Sequence, residues 1–263
     1  MLHLLELLED ESRPGRLDLA ALDVATIQFP GLAPEPFLNQ LNELAARLGD
    51  RLRNFNDGRD FVETAQRYLF EELGFRGNEE NFFDPLNSCL NQVLERRTGI
   101  PITLSVMYME IARRLHMPVF GIGLPNRFVI QFDDGNYSTF IDPFQGGRPI
   151  SPRECFALAG SKVADPSLLQ RVTKKQIAMR MLQNLRNVYV RLRDYPRGVS
   201  TLDLLIAGAP DLPEWYRARG SLLMEMHRGE AARRDFERYL TLDPKAPDRD
   251  DIAAQMRWLA RLN

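Results

Sequence analysis

Apolar positions recur at helical spacing through the first 72 residues. Leu4, Leu5, Leu7 and Leu8 open the chain, Leu17, Leu19, Leu22 and Val24 follow, and Phe37, Leu41, Leu44 and Leu48 make a third stripe. Pro30, Pro34 and Pro36 separate the second stripe from the third, because proline lacks the amide that a helix interior needs. A fourth stripe through Phe61, Ala65, Tyr68 and Leu69 stops before Gly74. Asp84-Pro85 then gives an N-cap with proline at the first helical position, predicting one helix over Leu86, Cys89, Leu90, Val93 and Leu94 that ends near Thr98-Gly99. Another helix is expected after Pro101, carrying Leu104, Met107, Tyr108, Ile111 and Leu115.

Past Pro118 the period changes. Val119–Gly123, Phe128–Phe132 and Thr139–Ile141 are short, apolar and β-prone, and Asp134-Gly135-Asn136 supplies a hairpin turn between the last two. Helices followed by an antiparallel sheet define an α+β arrangement. From Thr173 onward the helical pattern returns. There Pro210 and Pro244 stand 34 residues apart, each after an apolar helix, and 34 is the tetratricopeptide period. Setting Pro244 as the late proline puts Gly220 at the tight helix contact, with Ala232 and Phe236 on the second helix. One period earlier Arg186 and Gly198 replace the Gly and Ala, while Leu185, Tyr189 and Leu202 stay apolar. These shifts divide the chain at 1–72, 73–170 and 171–263: a helical segment packed on a core, the core, and a helical repeat tail.

Charge changes little in this picture. A net charge of −2 gives no reason to expect a nucleic acid or an anionic membrane as partner, and no basic segment is interleaved with aromatics. Arg113-Arg114 and Arg233-Arg234 lie inside helical patterns and read as solvated faces. No run of about 18 apolar residues suggests a membrane span. The start lacks the basic flank and apolar core of a signal peptide, so a cytoplasmic protein is expected. Cys89, Cys155, His3, His116 and His227 complete no metal-ligand spacing, and neither metal nor cofactor is expected.

The informative text lies between residues 70 and 147: Phe-Arg-Gly-Asn at 75–78, Asp-Pro-Leu-Asn-Ser at 84–88, Leu-Glu-Arg-Arg-Thr-Gly-Ile-Pro-Ile-Thr-Leu at 94–104, Gly-Ile-Gly-Leu-Pro at 121–125 and Ile-Asp-Pro-Phe at 141–144. In this order the motifs resemble the bacterial SirB-type transglutaminase-like family, whose members end in a short tetratricopeptide-like tail. A related domain occurs in a subgroup of eukaryotic F-box proteins. The resemblance implies a transglutaminase/papain-like core, in which a cysteine at the N-terminus of a central helix packs against a small antiparallel sheet that supplies a histidine and an aspartate. The helix terminus and an imidazolium would stabilise the thiolate, and the carboxylate would fix the histidine tautomer.

Carried over residue by residue, the resemblance puts the nucleophile position at Pro101, reached by counting back from Arg114-Leu115-His116-Met117-Pro118. It puts the histidine position at Arg127, where many relatives read Pro-Gly-His-Phe, and keeps the third group as Asp142. Proline is no nucleophile, and a guanidinium stays protonated and cannot act as a base. The implied function is therefore a catalytically degenerate protein-interaction or regulatory module whose partner is another protein or a peptide.

Two readings of Arg127 and Asp142 stay open: an ion pair filling the old site, or a groove in which Arg127 meets an anion, with Asn87, Ser88, Asn91 and Thr103 beside it. For the three residues at 87–91, capping and loop ties are the simpler expectation. For Thr103 and Ser105 it is capping or solvation. A residual thiol hydrolase or acyl transferase using Cys89 is the alternative function, against which stands a cysteine on an apolar stripe facing the core, as Cys155 is also read. His116, at a helix end, suits the helix dipole. A purely structural subunit is the third possibility.

Overall fold

The computed structural model describes residues 1–10 and 15–259, which divide into two compact units, one from Met1–Leu7 and Glu11–Met181, the other from Leu8–Asp10 and Leu182–Asn263. The four N-terminal stripes fold as α1 (Leu2–Glu9), α2 (Leu17–Ala25), α3 (Glu35–Gly49) and α4 (Gly58–Ala65). Asp57 caps α4 by accepting from the Arg59 and Asp60 amides. The fourth stripe then widens into a π-helical segment, Gln66–Glu72, in which the Leu73 amide reaches the Tyr68 carbonyl five residues back. Gly74, at φ +75°, ends it.

The single helix expected from Pro85 to about Thr98 does not form. Instead a 3₁₀ turn, Pro85–Ser88, gives way to extended backbone at Cys89 (φ −100°, ψ 116°) before α5 (Leu90–Arg96). The reason is local. The Asn87 carbonyl accepts from the Ile100 amide at 3.3 Å and is diverted from helical bonding, while the Asn87 side chain ties down the preceding loop. Arg97, in the left-handed conformation, closes α5.

Central helix α6 (Pro101–Arg114) is almost wholly buried. Behind it lies an antiparallel sheet in the order β3 (Val119–Gly123), β4 (Phe128–Asp133), β5 (Ser138–Asp142), β6 (Arg148–Ile150). Gly135, at φ +87°, makes the expected β4–β5 turn. The strands β1 (Arg76–Gly77) and β2 (Thr98–Gly99), a two-residue parallel pair, and β6 carry no readable alternation and were not anticipated. Both sheet edges are blunted. At β3, Arg171 bridges Ile122 and the Val172 amide bonds the Gly121 carbonyl at 2.9 Å; β6 is three residues long with Pro149 at its centre. Around α6, Leu41, Leu48, Phe61, Leu90, Ile111 and Phe132 form one apolar core joining α2–α6 and the sheet. Helix α7 (Pro152–Leu158), started by a Ser151/Glu154 capping box, completes this part.

Helix α8 (Lys174–Leu192) crosses the boundary between the units. Then come α9 (Tyr195–Gly208), α10 (Pro213–Glu225), α11 (Gly229–Leu242) and α12 (Arg249–Leu259). Gly220 lets α10 and α11 approach closely: a Cβ there would lie 2.7 Å from the Phe236 ring. Ala232 and Phe236 are fully buried, and Pro244 stands in the turn before α12. At the Gly220-equivalent place in the preceding repeat, the Arg186 guanidinium lies 5.9 Å over the Trp215 ring. Gly198 meets the Leu222 side chain as closely as Gly220 meets Phe236.

Candidate functional site

The turn after β5 packs on α6 and on β1, which pairs with Thr98–Gly99 just before that helix begins. Ile100 is its N-cap and Pro101 its first residue, which suits a position whose amide has no helical acceptor. The β5 end supplies Asp142, whose Oδ1 accepts from the Phe144 and Gln145 amides at 3.0 and 3.3 Å and starts the 3₁₀ turn Pro143–Gln145 against α6. Arg127, just before β4, places its Nε 3.4 Å from Asp142 Oδ2 and its guanidinium 4.6 Å over the Phe144 ring. The separation makes an ion pair but not a hydrogen bond, since Arg127 Nε and Asp142 Oδ2 are both buried without a hydrogen-bond partner among the described residues. Burial pushes the Asp142 carboxyl above its usual range, although Arg127 and the two amides pull it down.

The other anticipated residues are close in sequence to this end but closed off. Asn87 is fully buried and its side chain spans Asn78, Asn81 and Phe82, a loop tie. Ser88, Asn91 and Thr103 are buried with Oγ, Oδ1 and Oγ1 unbonded, so they line no open groove. Solvation does not account for Thr103 and Ser105, as the sequence had suggested: both are fully buried, and neither hydroxyl touches a base. Over the site the exposed rings of Phe82 and Phe83 stack edge to face, and Phe82 meets Phe144 at 6.1 Å. Sequence reasoning missed this aromatic pair; its signal was two adjacent aromatics in an otherwise polar loop.

Cys89 is fully buried, its Sγ 3.5 Å from the Pro85 carbonyl, and burial with the nearby Asp84 charge pushes the thiol up to about 12. Rather than riding a helical stripe it sits at the extended break before α5. Cys155 is buried likewise, its thiol also pushed up to about 12 by burial. His116 closes the opposite end of α6 in a left-handed conformation. Among the described residues no group of three or more potential metal ligands occurs, and no helix is long and apolar enough to cross a membrane.

Of the basic pair Arg113-Arg114, Arg113 is exposed as expected but Arg114 is not on a solvated face. Arg114 donates to the fully buried Asp18 at 2.7 Å, to Glu110 at 2.9 Å and to Asn42 at 2.7 Å, joining α6 to α2 and α3. Arg113 and Arg16 complete the cluster. Helical periodicity cannot show that a charge on a surface stripe meets a buried carboxylate 96 residues away.

A single helix buried against an antiparallel sheet, with charge gathered at its N-terminus and helical hairpins following in the chain, defines a transglutaminase-like protein with tetratricopeptide repeats. The family model for the transglutaminase-like superfamily matches residues 35–183 and that for the tetratricopeptide repeat residues 185–257. More narrowly, the chain belongs to the UPF0162 family of bacterial proteins. It is 31% identical over 256 residues to a UPF0162 protein of Xylella fastidiosa, covering 94% of this chain and 90% of that one. With a UPF0162 protein of Pseudomonas aeruginosa it shares 31% over 263 residues, covering 95% and 90%. Human F-box only protein 21 is 33% identical over 160 residues, 54% of this chain and 24% of that protein.

The ion pair makes a stability prediction. Arg127→Ala leaves the Asp142 carboxylate buried without its counter-charge and destabilises the first unit by about 2 kcal/mol at neutral pH. Asp142 already titrates above its unfolded value, so protonation favours the folded state. The deficit relative to wild type shrinks as pH falls toward 5. Denaturant melts at two pH values check this, and an equal deficit at both refutes it.

Proposed function

We propose that this chain is a catalytically degenerate transglutaminase-like protein that works as a protein-interaction or regulatory module. The observation that carries the reading is the buried Arg127–Asp142 pair, a fixed cation standing where the family resemblance puts a proton-carrying imidazole. Nucleophilic catalysis needs a nucleophile within reach of a base. Pro101 provides none, the Ser88, Thr103 and Ser105 hydroxyls bond to no base, and Cys89 holds its proton far above neutrality. The buried thiol counts against a hydrolase or acyl transferase using Cys89. A binding role accords with the repeat tail, since stacked helical hairpins present surfaces suited to peptides, and with the exposed Phe82 and Phe83 beside Arg127. The partner is a protein or peptide.

Two measurements test this. Native protein exposed to iodoacetamide at pH 7.5 keeps Cys89 unmodified, while the denatured chain is alkylated at both cysteines; rapid native modification of Cys89 would overturn the reading. In parallel, proteins retained by the wild type are compared with those retained by Phe82→Ala/Phe83→Ala. A specific partner is lost or weakened tenfold or more if this face is used. Unchanged capture transfers the role to the tail.

A further inference from the structure

At the other end of α6 lies a cavity of about 520 Å³, within the range of small-molecule sites. Its walls come from Met109 and Met117, from Val119 at the sheet edge, from Ile177 at the start of α8 and from Leu17 of α2, all within the first unit. On α6 its lining begins at Met109, in the second half of the helix, and it includes neither Arg127 nor Asp142.

The charge around this cavity is unbalanced. Glu110 reaches it, but its Oε2 accepts from Arg113 Nε at 2.8 Å and Arg114 Nη1 at 2.9 Å, which neutralises it. In the cluster behind, the carboxylates that face the guanidiniums of Arg16, Arg113 and Arg114 among the described residues are those of Asp18 and Glu110. At the rim stands Lys174, exposed, whose bond is to the Gly15 carbonyl at 2.7 Å rather than to an acid. Arg113, also at the rim, is half exposed. An apolar chamber with a surplus of positive charge at its mouth favours a ligand with an apolar body and one anionic head, and disfavours a cation of the same shape.

We propose that this cavity binds a small amphipathic carboxylate, its hydrocarbon part against Met109, Met117, Val119 and Ile177 and its carboxylate at Lys174 and Arg113. The site is a binding site with no chemistry of its own, and it stands or falls independently of the protein-interaction reading.

The probe is sodium decanoate, titrated below its critical micelle concentration into the full-length protein by calorimetry. Matched titrations use decan-1-ol and decyltrimethylammonium. Decanoate binds with a Kd on the order of 100 µM, as a ligand of this size in a partly open pocket permits, and the other two at least tenfold more weakly. Lys174→Glu, a surface change that leaves the core alone, weakens decanoate by about tenfold or more. Val119→Trp, which fills the chamber, abolishes binding. Methyl resonances of Met109 and Met117 shift with decanoate. Equal binding of the three probes, an undiminished affinity in Lys174→Glu, or decanoate bound with both methyls unmoved would each overturn the assignment.

Discussion

Arg114→Met lowers the stability of the first unit by about 3–5 kcal/mol, the cost of stripping one partner from a buried ion pair. This side chain is the link between α6 and two N-terminal helices, and its loss leaves Asp18 and Glu110, both buried, short of a guanidinium. Arg113→Met costs less, about 1 kcal/mol, because Arg113 is half exposed and lies 3.4 Å from Asp18. Both tryptophans, Trp215 and Trp258, belong to the second unit, so fluorescence does not report this change. Hydrogen exchange in α2, α3 and α6 does. Wild-type protection in Arg114→Met would show that the cluster is ornamental.

The same cluster sets an acid limb. Burial alone would raise the Asp18 carboxyl, but hydrogen bonds from Arg16 and Arg114 prevail and hold it at about 2 against an ordinary 3.8. A folded-state value below the unfolded one contributes stability that is complete above pH 4 and disappears as pH falls toward 2, about 2 kcal/mol in all. Asp18→Asn removes that limb. Glu110 acts oppositely: burial and the Asp18 charge raise it, so its charging opposes folding as pH rises past 4.5. The two windows are distinguishable in one pH series.

Phe236→Ala costs the second unit about 4 kcal/mol, typical of a phenylalanine removed from a closed core. Its ring is fully buried against Gly220 and shares a cluster with Leu223, Tyr239, Ile252 and Leu259. Here the tryptophans are the right reporters, and their unfolding midpoint falls while exchange protection in α6 holds. Gly220→Ala, which pushes a methyl toward the same ring, destabilises by about 1–3 kcal/mol. A midpoint unmoved in Phe236→Ala would mean that the α10–α11 contact does not limit this unit's stability.

What the sequence disclosed, and what it hid, follows from the range of each interaction. Periodicity disclosed α3, α6 and the β4–β5 hairpin because each buries one face along a continuous segment, and the tail was legible because Pro210 and Pro244 stand 34 residues apart, each after an apolar helix. Cys89 was misplaced in a helix because its break is caused by Ile100, eleven residues on, competing for the Asn87 carbonyl. Arg114 was misread since its partner Asp18 lies on another helix. Strand β6, three residues around a proline, has no alternation to read. Nor could the sequence show that Ser88, Asn91 and Thr103 would be sealed from solvent, since their burial depends on segments packed over them.

The blunted sheet edges bear on how anything could be recognised. Many proteins capture an extended segment by letting it join an open ladder, using main-chain bonds that ignore sequence. Here Arg171 and Val172 already occupy that role along β3, and Pro149 withholds an amide at β6. At these two edges a partner's backbone finds no ladder to extend, which also disfavours self-association through this sheet. Whatever docks along this sheet must be discriminated by its side chains.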